Sequence, residues 1–230
     1  MGYENLKPAL ERIKMVSGFI AAHGQDVPTV FALEDSYYDT PQMQAAVERM
    51  KAEPGMGRLI SEGYLTPDYD LDELMKYPPG SLGHTYARLM ALHGFKAHFY
   101  PDREIKTDAD YCIMRVRKTH DIHHAVSGFS MQPSGEAGVI GVTAYQYGYP
   151  AFVLIDLAGM ALTFMQAQGF AGQFTDVGRG MKMGHECKPL LGVKWEEGWE
   201  KPLSRWREEL KITPVTNGEA SWYEMSGMWA

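Results

Sequence analysis

The chain has 230 residues, 45% hydrophobic and 22% charged, which excludes disorder and low-complexity character and fits one domain over residues 1–230. Its formal net charge of -7, with no basic cluster, excludes a general nucleic-acid binder. The same charge argues against electrostatic attraction to an anionic membrane, so any membrane contact must be apolar.

Helical periodicity runs through most of the sequence and predicts an all-α fold. Leu6, Leu10, Ile13, Val16 and Ile20 recur every three or four residues and predict an amphipathic first helix. Thr29–Tyr38 is the one strand-like stretch. Thr40-Pro41 is a helix start, Thr as cap and Pro in the first turn, with Met43, Ala46, Val47 and Met50 facing inward and Pro54-Gly55 as the stop. A short helix is expected within Pro67–Tyr77. Ser81 then caps a helix whose inward face is Leu82, Tyr86, Leu89, Met90 and His93, closed by Gly94.

Thr107 or Asp108 caps the next helix, with Ile113, Val116, His120, His124 and Ser127 inward and Gly128 as its end. Ser134 is positioned to cap a helix starting at Glu136. Tyr149–Gln168 reads as a buried apolar helix: its apolar run is shorter than the ~20 residues a membrane span needs, and it contains Asp156. Pro202 starts a last helix carrying Leu203, Trp206, Arg207 and Leu210. The aromatic-rich tail 213–230, with Trp222, Tyr223, Met225, Met228 and Trp229, is consistent with packing back on the domain, with a homodimer contact or with a lipid-facing patch. Cys112 and Cys187 offer no disulfide framework and suit a reducing compartment. The start Met1-Gly2-Tyr3-Glu4 carries no secretory or transit pattern, so the expected location is cytoplasmic, with peripheral attachment at the inner membrane face as an extension.

The chemistry concentrates on one helix. His120 and His124, four residues apart, leave the same face one turn apart, the spacing by which a helix offers two ligands to one metal. Asp121 lies at the edge of that face, and Glu136 follows a tight break that can fold its carboxylate back over the histidines. His120, Asp121, His124 and Glu136 are the candidate metal ligands, suited to zinc, iron(II), cobalt or manganese with a position left for water or substrate. Asp121 is a methylene shorter than the Glu of an H-E-x-x-H protease helix. It either ligates directly or orients His124, and Asp121 and His124 are the candidate catalytic pair. A hydrogen-bonded core histidine pair is the plain alternative, and an HD-type phosphohydrolase would need further ligands that only Asp156 or Asp176 with His84 or His93 could supply.

The pattern H120-D121-x-x-H124, eleven residues and then Glu136 resembles the signature of the coenzyme Q biosynthesis protein four family. Tyr77-Pro-Pro-Gly-Ser-Leu-Gly-His-Thr-Tyr86, Trp199-Glu-Lys-Pro-Leu203 and Arg205–Leu210 are similar to its flanking segments. The resemblance implies a mostly helical protein of prenylated-quinone metabolism with a divalent metal at the His/Asp/His/Glu set. It further implies work at a membrane surface on a polyprenyl-tailed aromatic acid, alongside other enzymes of the pathway. The implied activity exchanges the ring C1 carboxylate for hydroxyl; the alternative is a non-catalytic lipid-binding scaffold. The absent presequence suggests a bacterial-type member.

Beside that resemblance, Ala151, Ala158, Gly159 and Ala161 on the apolar helix could line a slot for an isoprenoid tail, or the helix is ordinary core. Arg115, Arg117 and Lys118 could meet an anionic head group or form a solvated basic face, with Arg117 closest in phase to the histidines. Arg117, Tyr86 and His84 are the candidate substrate-binding residues.

Overall fold

Thr40, Ser81 and Thr107 each turn a side-chain oxygen back onto the third residue of the helix that follows. They satisfy a backbone N–H that the helix leaves without a partner. At Thr107 the cap is reciprocal, because Asp110 Oδ2 also accepts from the Thr107 N–H at 3.0 Å. The structure, a computed structural model, describes residues 6–21, 27–64, 69–167, 169–225 and 228. Pro67, Gln168, Trp229 and the first residues lie outside these, as do the side chains of Leu6 and Ile20.

The fold is all-α. Among the described residues the helices are α1 (Leu6–Ala21), α2 (Val27–Tyr37), α3 (Pro41–Ala52), α4 (Pro54–Glu62), α5 (Leu71–Leu74), α6 (Leu82–His93), α7 (Asp108–Ser127), α8 (Pro133–Tyr147), α9 (Pro150–Met165), α10 (Phe170–Glu186) and α11 (Leu203–Leu210). Short 3-10 turns follow at Trp195–Glu197 and Trp222–Glu224. Helix α7 packs against α3, α6, α8 and α11, and α8 packs in turn against α9 and α10.

Several expectations need correction. Thr29–Tyr38 is not a strand: it falls within and just past α2, because Val30, Leu33 and Tyr37 follow the helical period and turn toward the core. Pro54 ends α3 and at once starts α4, with the Glu53 carboxylate accepting from the N–H groups of Gly55 and Met56. Helix α8 begins at Pro133 rather than Glu136, so Ser134 lies inside its first turn, and Glu136 stays in that turn. Helix α9 is buried on one face and mostly toward its start: Leu157, Phe164 and Met165 are exposed. In α1, Leu10 and Ile13 are exposed and Val16 alone of the described face is buried.

Helix α10 was not foreseen, because its four internal glycines lower helix propensity by roughly 1 kcal/mol each. Two of them, Gly180 and Gly184, are there for contact. A Cβ at Gly180 would lie 2.0 Å from the Gly138 carbonyl oxygen of α8, and one at Gly184 would lie 2.9 Å from that of Val142. Backbone-to-backbone approach of α8 and α10 recovers in packing what the glycines lose in propensity.

Two apolar clusters fill the interior. Cys112, Ile113 and Val116 of α7 belong to one with Met43, Met50, Tyr149 and Phe152. Ile122, Ala125 and Val126 belong to the other with Tyr86, Phe129, Trp195 and Trp222. His120, Asp121 and His124 sit where α7 passes from the first cluster to the second. The tail segment crosses the end of this helix: Val215 N donates to Ser127 O at 2.8 Å and Trp222 N to Gly128 O at 3.0 Å.

Candidate metal centre

Two turns of α7 and the first turn of α8 build the site. Gly128 ends α7 in the left-handed region at φ 84°, and a Cβ there would press on the Val215 carbonyl oxygen at 2.3 Å, so only glycine permits the reversal. Five residues later Pro133 starts α8, and Glu136 is carried back over α7.

Glu136 Oε2 lies 3.0 Å from His120 Nε2, Glu136 Oε1 lies 3.3 Å from His124 Nε2, and the two Nε2 atoms are 3.4 Å apart. Donors bound to one ion at about 2.0–2.2 Å stand roughly 3–3.5 Å from one another, so these spacings are those of three ligands on one metal. Such a cation would be reached from one side. His124 is fully buried, whereas the Glu136 side chain keeps 35% of its surface exposed.

The chemistry of the donors points the same way. His124 Nδ1 lies 3.2 Å from the Phe129 carbonyl oxygen, which only accepts, so Nδ1 carries a proton and Nε2 is the nitrogen turned to the cluster. There it faces a carboxylate oxygen and a second imidazole nitrogen, an arrangement that takes a proton or a cation between them. The anchoring of the remote nitrogen on a backbone carbonyl is how metal-binding histidines are oriented. Trp222 Nε1 donates to the His124 carbonyl at 2.9 Å and steadies the same residue from the tail. Burial lifts the Glu136 carboxyl, but His124 and His120 outweigh it and hold the group well below the usual carboxylate range. Burial pushes His120 down, and the Glu136 charge and hydrogen bond reverse this and raise it.

Asp121 does not join the three converging residues. Burial raises its carboxyl, opposed by His120 and His124, and its charge is felt by the hydroxyls of Tyr69 and Tyr86. Those two hydroxyls are 3.0 Å apart, and Tyr86 stacks on Trp199. His84 is turned to the Met75 carbonyl at 2.9 Å. Arg117 is committed elsewhere: its Nε donates to Glu34 Oε2 at 2.8 Å, NH1 reaches the Pro101 carbonyl, and the group lies over the Phe31 ring. Arg115 is likewise buried on Glu196 at 2.6 Å. Neither arginine forms the solvated basic face that their phase on the helix suggested, and Arg117 Nη2 is buried with no hydrogen-bond partner among the described residues.

One neighbour carried no site signal in the sequence: Phe152 of α9 places its ring 5.4 Å from that of His120. Burial chiefly lowers the titration of His93, which the sequence offers both on the inward face of α6 and as a further ligand of an HD-type site.

The coenzyme Q (ubiquinone) biosynthesis protein Coq4 family model matches residues 32–216. The chain belongs to this family. It is 26% identical over 197 residues to the mitochondrial ubiquinone biosynthesis protein COQ4 of Lachancea thermotolerans, covering 84% of this chain and 60% of that one. To the mitochondrial COQ4 homolog of Rattus norvegicus it is 29% identical over 176 residues, covering 73% and 64%. The chain thus matches less than two thirds of the length of these relatives. The crystal structure of a candidate ubiquinone biosynthesis protein from Nostoc punctiforme superposes with a TM-score of 0.80 at 34% identity, covering 91% of this chain and 98% of that one.

Proposed function

We propose that this protein is a divalent-metal-dependent enzyme of prenylated-quinone synthesis that acts on the C1 carboxylate of a polyprenyl hydroxybenzoate-like head group. The convergence of His120, His124 and Glu136, with His124 Nδ1 anchored on the Phe129 carbonyl, carries this reading. These three residues would hold the metal. Bound there, zinc would supply Lewis acidity, and iron(II) would add the redox capacity that exchange of carboxylate for hydroxyl demands.

The protein's own residues do the rest. Asp121, beside the cluster and not part of it, is placed to orient water or head-group hydroxyl. Tyr69 and Tyr86 are neutral donors on its side, Tyr69 pushed up to about 12 chiefly by burial. Phe152 closes the apolar wall next to His120 and shields it from bulk water. Arg117 positions α2 against α7 through Glu34.

Among the described residues no helix is long and apolar enough to cross a membrane. The exposed Leu157, Phe164, Met165 and Phe174 support peripheral contact of α9 and α10 with the inner face of a lipid bilayer. Such contact would give access to a polyprenyl-tailed substrate and to neighbouring enzymes of the pathway.

Metal analysis of protein purified without chelator or affinity-tag metal tests the reading, with turnover of a prenylated hydroxybenzoate measured beside it. Near-stoichiometric zinc or iron, lost in His120→Ala and Glu136→Gln together with turnover, is the expected result. A Glu136→Gln protein that lacked metal and kept full turnover would overturn it. Retained metal with no turnover by any preparation would favour a lipid-binding scaffold clamped by the ion.

A further inference from the structure

A helix leaves its last carbonyls without partners of its own, and at the end of α7 those of Ala125, Val126 and Ser127 are met from outside. Arg207 of α11 donates from Nε to the Val126 carbonyl at 2.8 Å and from Nη2 to the Ala125 carbonyl at 3.2 Å, while Val215 N covers Ser127. The two carbonyls that Arg207 bridges belong to the residues directly after His124. Its Nη1 donates to the Tyr223 hydroxyl at 2.5 Å, and the guanidinium lies 5.6 Å from the Tyr223 ring and 5.8 Å from that of Trp222. Those two rings stack on each other at 3.9 Å. A cation suits this place because the carbonyl end of a helix carries partial negative charge. The planar fork of a guanidinium also reaches two neighbouring carbonyls at once, which an ammonium group does not do in a fixed geometry.

A second observation shows what the bridge fixes. Phe129, whose carbonyl accepts from His124 Nδ1, lies just past the reversal at Gly128. The orientation of the His124 ring therefore depends on the register between the last turn of α7 and the backbone at Phe129. The tail sets the Phe129 side: Phe129 forms an antiparallel bridge with Ser221, and Ser130 N donates to the Ala220 carbonyl at 2.7 Å. Arg207 sets the helix side. The guanidinium and the tail meet at Trp222 and Tyr223, so one assembly braces both ends of the His124–Phe129 bond.

We propose that Arg207 is a positioning residue of the metal centre: by bridging the Ala125 and Val126 carbonyls it holds His124 with Nδ1 on Phe129 and Nε2 toward Glu136. This rests on the reading above that His120, His124 and Glu136 hold a divalent metal, and it names what keeps one of those ligands aimed. Arg207 acts through the backbone of α7 and touches neither metal nor substrate.

Cobalt(II) titration of the intact chain tests this, together with proton exchange at the His124 ring in metal-free, 15N-histidine-labelled protein. The Nδ1–H signal is recognised by its loss in His124→Gln. Arg207→Gln should bind cobalt about tenfold more weakly and exchange that proton about tenfold faster, the scale on which removal of a ligand's orienting partner acts. Arg207→Lys, which keeps the charge without the fork, should recover part of both. Leu210→Ala controls for stability: it removes a core side chain of α11 and leaves the guanidinium in place, so it should unfold at lower denaturant with cobalt affinity unchanged. Unchanged cobalt affinity in Arg207→Gln, or an equal fall in Leu210→Ala, would overturn the proposal. If wild-type protein takes up no cobalt, the metal-centre reading fails separately. Exchange at His124 then decides for Arg207: a rise of about tenfold in Arg207→Gln supports its orienting role, and an unchanged rate overturns it.

Discussion

The two halves of α7 treat buried polarity in opposite ways. In the N-terminal half, Arg115 is paired with Glu196 and Arg117 with Glu34, all four side chains at most 3% exposed, and Arg117 Nη2 alone of the two guanidinium groups lacks a hydrogen-bond partner among the described residues. Glu34 also accepts from Tyr149 at 2.8 Å. In the C-terminal half, His120 Nδ1 and both nitrogens of His123 are buried without partners among the described residues, and His124 turns Nε2 toward a carboxylate. Paired charges fix the helix against its neighbours. Under-satisfied groups cost stability, and a fold retains them where a ligand completes them or where the structure tolerates the loss. The comparison separates scaffold from site within a single element, and it can be attacked from either side.

The largest effect should come from breaking the scaffold. Arg117→Met leaves Glu34 buried without its cation, and loss of one partner of a buried pair costs about 3–5 kcal/mol. Burial already raises the Glu34 carboxyl against the pull of Arg117, so the variant should hold Glu34 protonated. Denaturant unfolding should show the loss, while metal per folded chain stays at the wild-type level. A variant as stable as wild type, or one that folds but loses its metal, would erase the distinction between the halves.

Asp156 offers a second attack, outside α7. Both its carboxyl oxygens are buried without partners, and burial pushes the group from 3.8 to about 8. Because the folded value is above the unfolded one, its contribution is fully present below pH 4 and is lost progressively as pH rises toward 8. Asp156→Asn removes this dependence. The variant should match wild type near pH 4 and gain on it by up to a few kcal/mol by pH 8, with no further gain above. Urea unfolding at pH 4, 6 and 8 measures it, and a difference that does not vary with pH would show that Asp156 has a partner in solution.

What the sequence made legible follows the range of the interactions. Caps at Thr40, Ser81 and Thr107 and the stops at Gly94 and Gly128 are local, and each was readable. So was the buried face of α3, because Met43, Ala46, Val47 and Met50 keep the helical period. The His120, His124 and Glu136 group was readable because all three lie within seventeen consecutive residues joined by a tight turn. The pairing of Arg117 with Glu34, 83 residues away, has no local trace, and so Arg117 looked like a free head-group contact. Helix α10 was hidden by glycines, two of which, Gly180 and Gly184, have a purpose only once α8 is beside them. Phe152 reaches His120 through the packing of α9, which no spacing in the sequence encodes.

Trp222 ties the tail to the site half of α7, and its removal should have a smaller effect than either change above. Trp222→Phe deletes the Nε1 bond to the His124 carbonyl, which still accepts from Gly128 N at 3.1 Å. A lost neutral hydrogen bond with a slightly smaller ring should cost about 1–2 kcal/mol in unfolding. Metal affinity should fall as well if the tail orients His124. A stability loss with unchanged metal affinity would limit Trp222 to holding the tail.

The smallest change should be a gain. His123 is 1% exposed, neither ring nitrogen has a partner, and burial drives its titration well below the ordinary histidine value, so the ring is neutral in the folded protein. Its ring approaches Trp195, whose Nε1 is also buried without a partner. His123 points to this apolar neighbour and is absent from the converging donors, so its polarity serves neither scaffold nor metal. His123→Leu removes two unsatisfied nitrogens at similar volume and should stabilise the fold by about 1 kcal/mol, with metal content and turnover retained. Loss of metal in that variant would mean that the under-satisfied half of α7 acts as one site on both of its faces. Its retention would confine the chemistry to the face of His120 and His124, and leave His123 as a polar residue the surrounding packing carries at a loss.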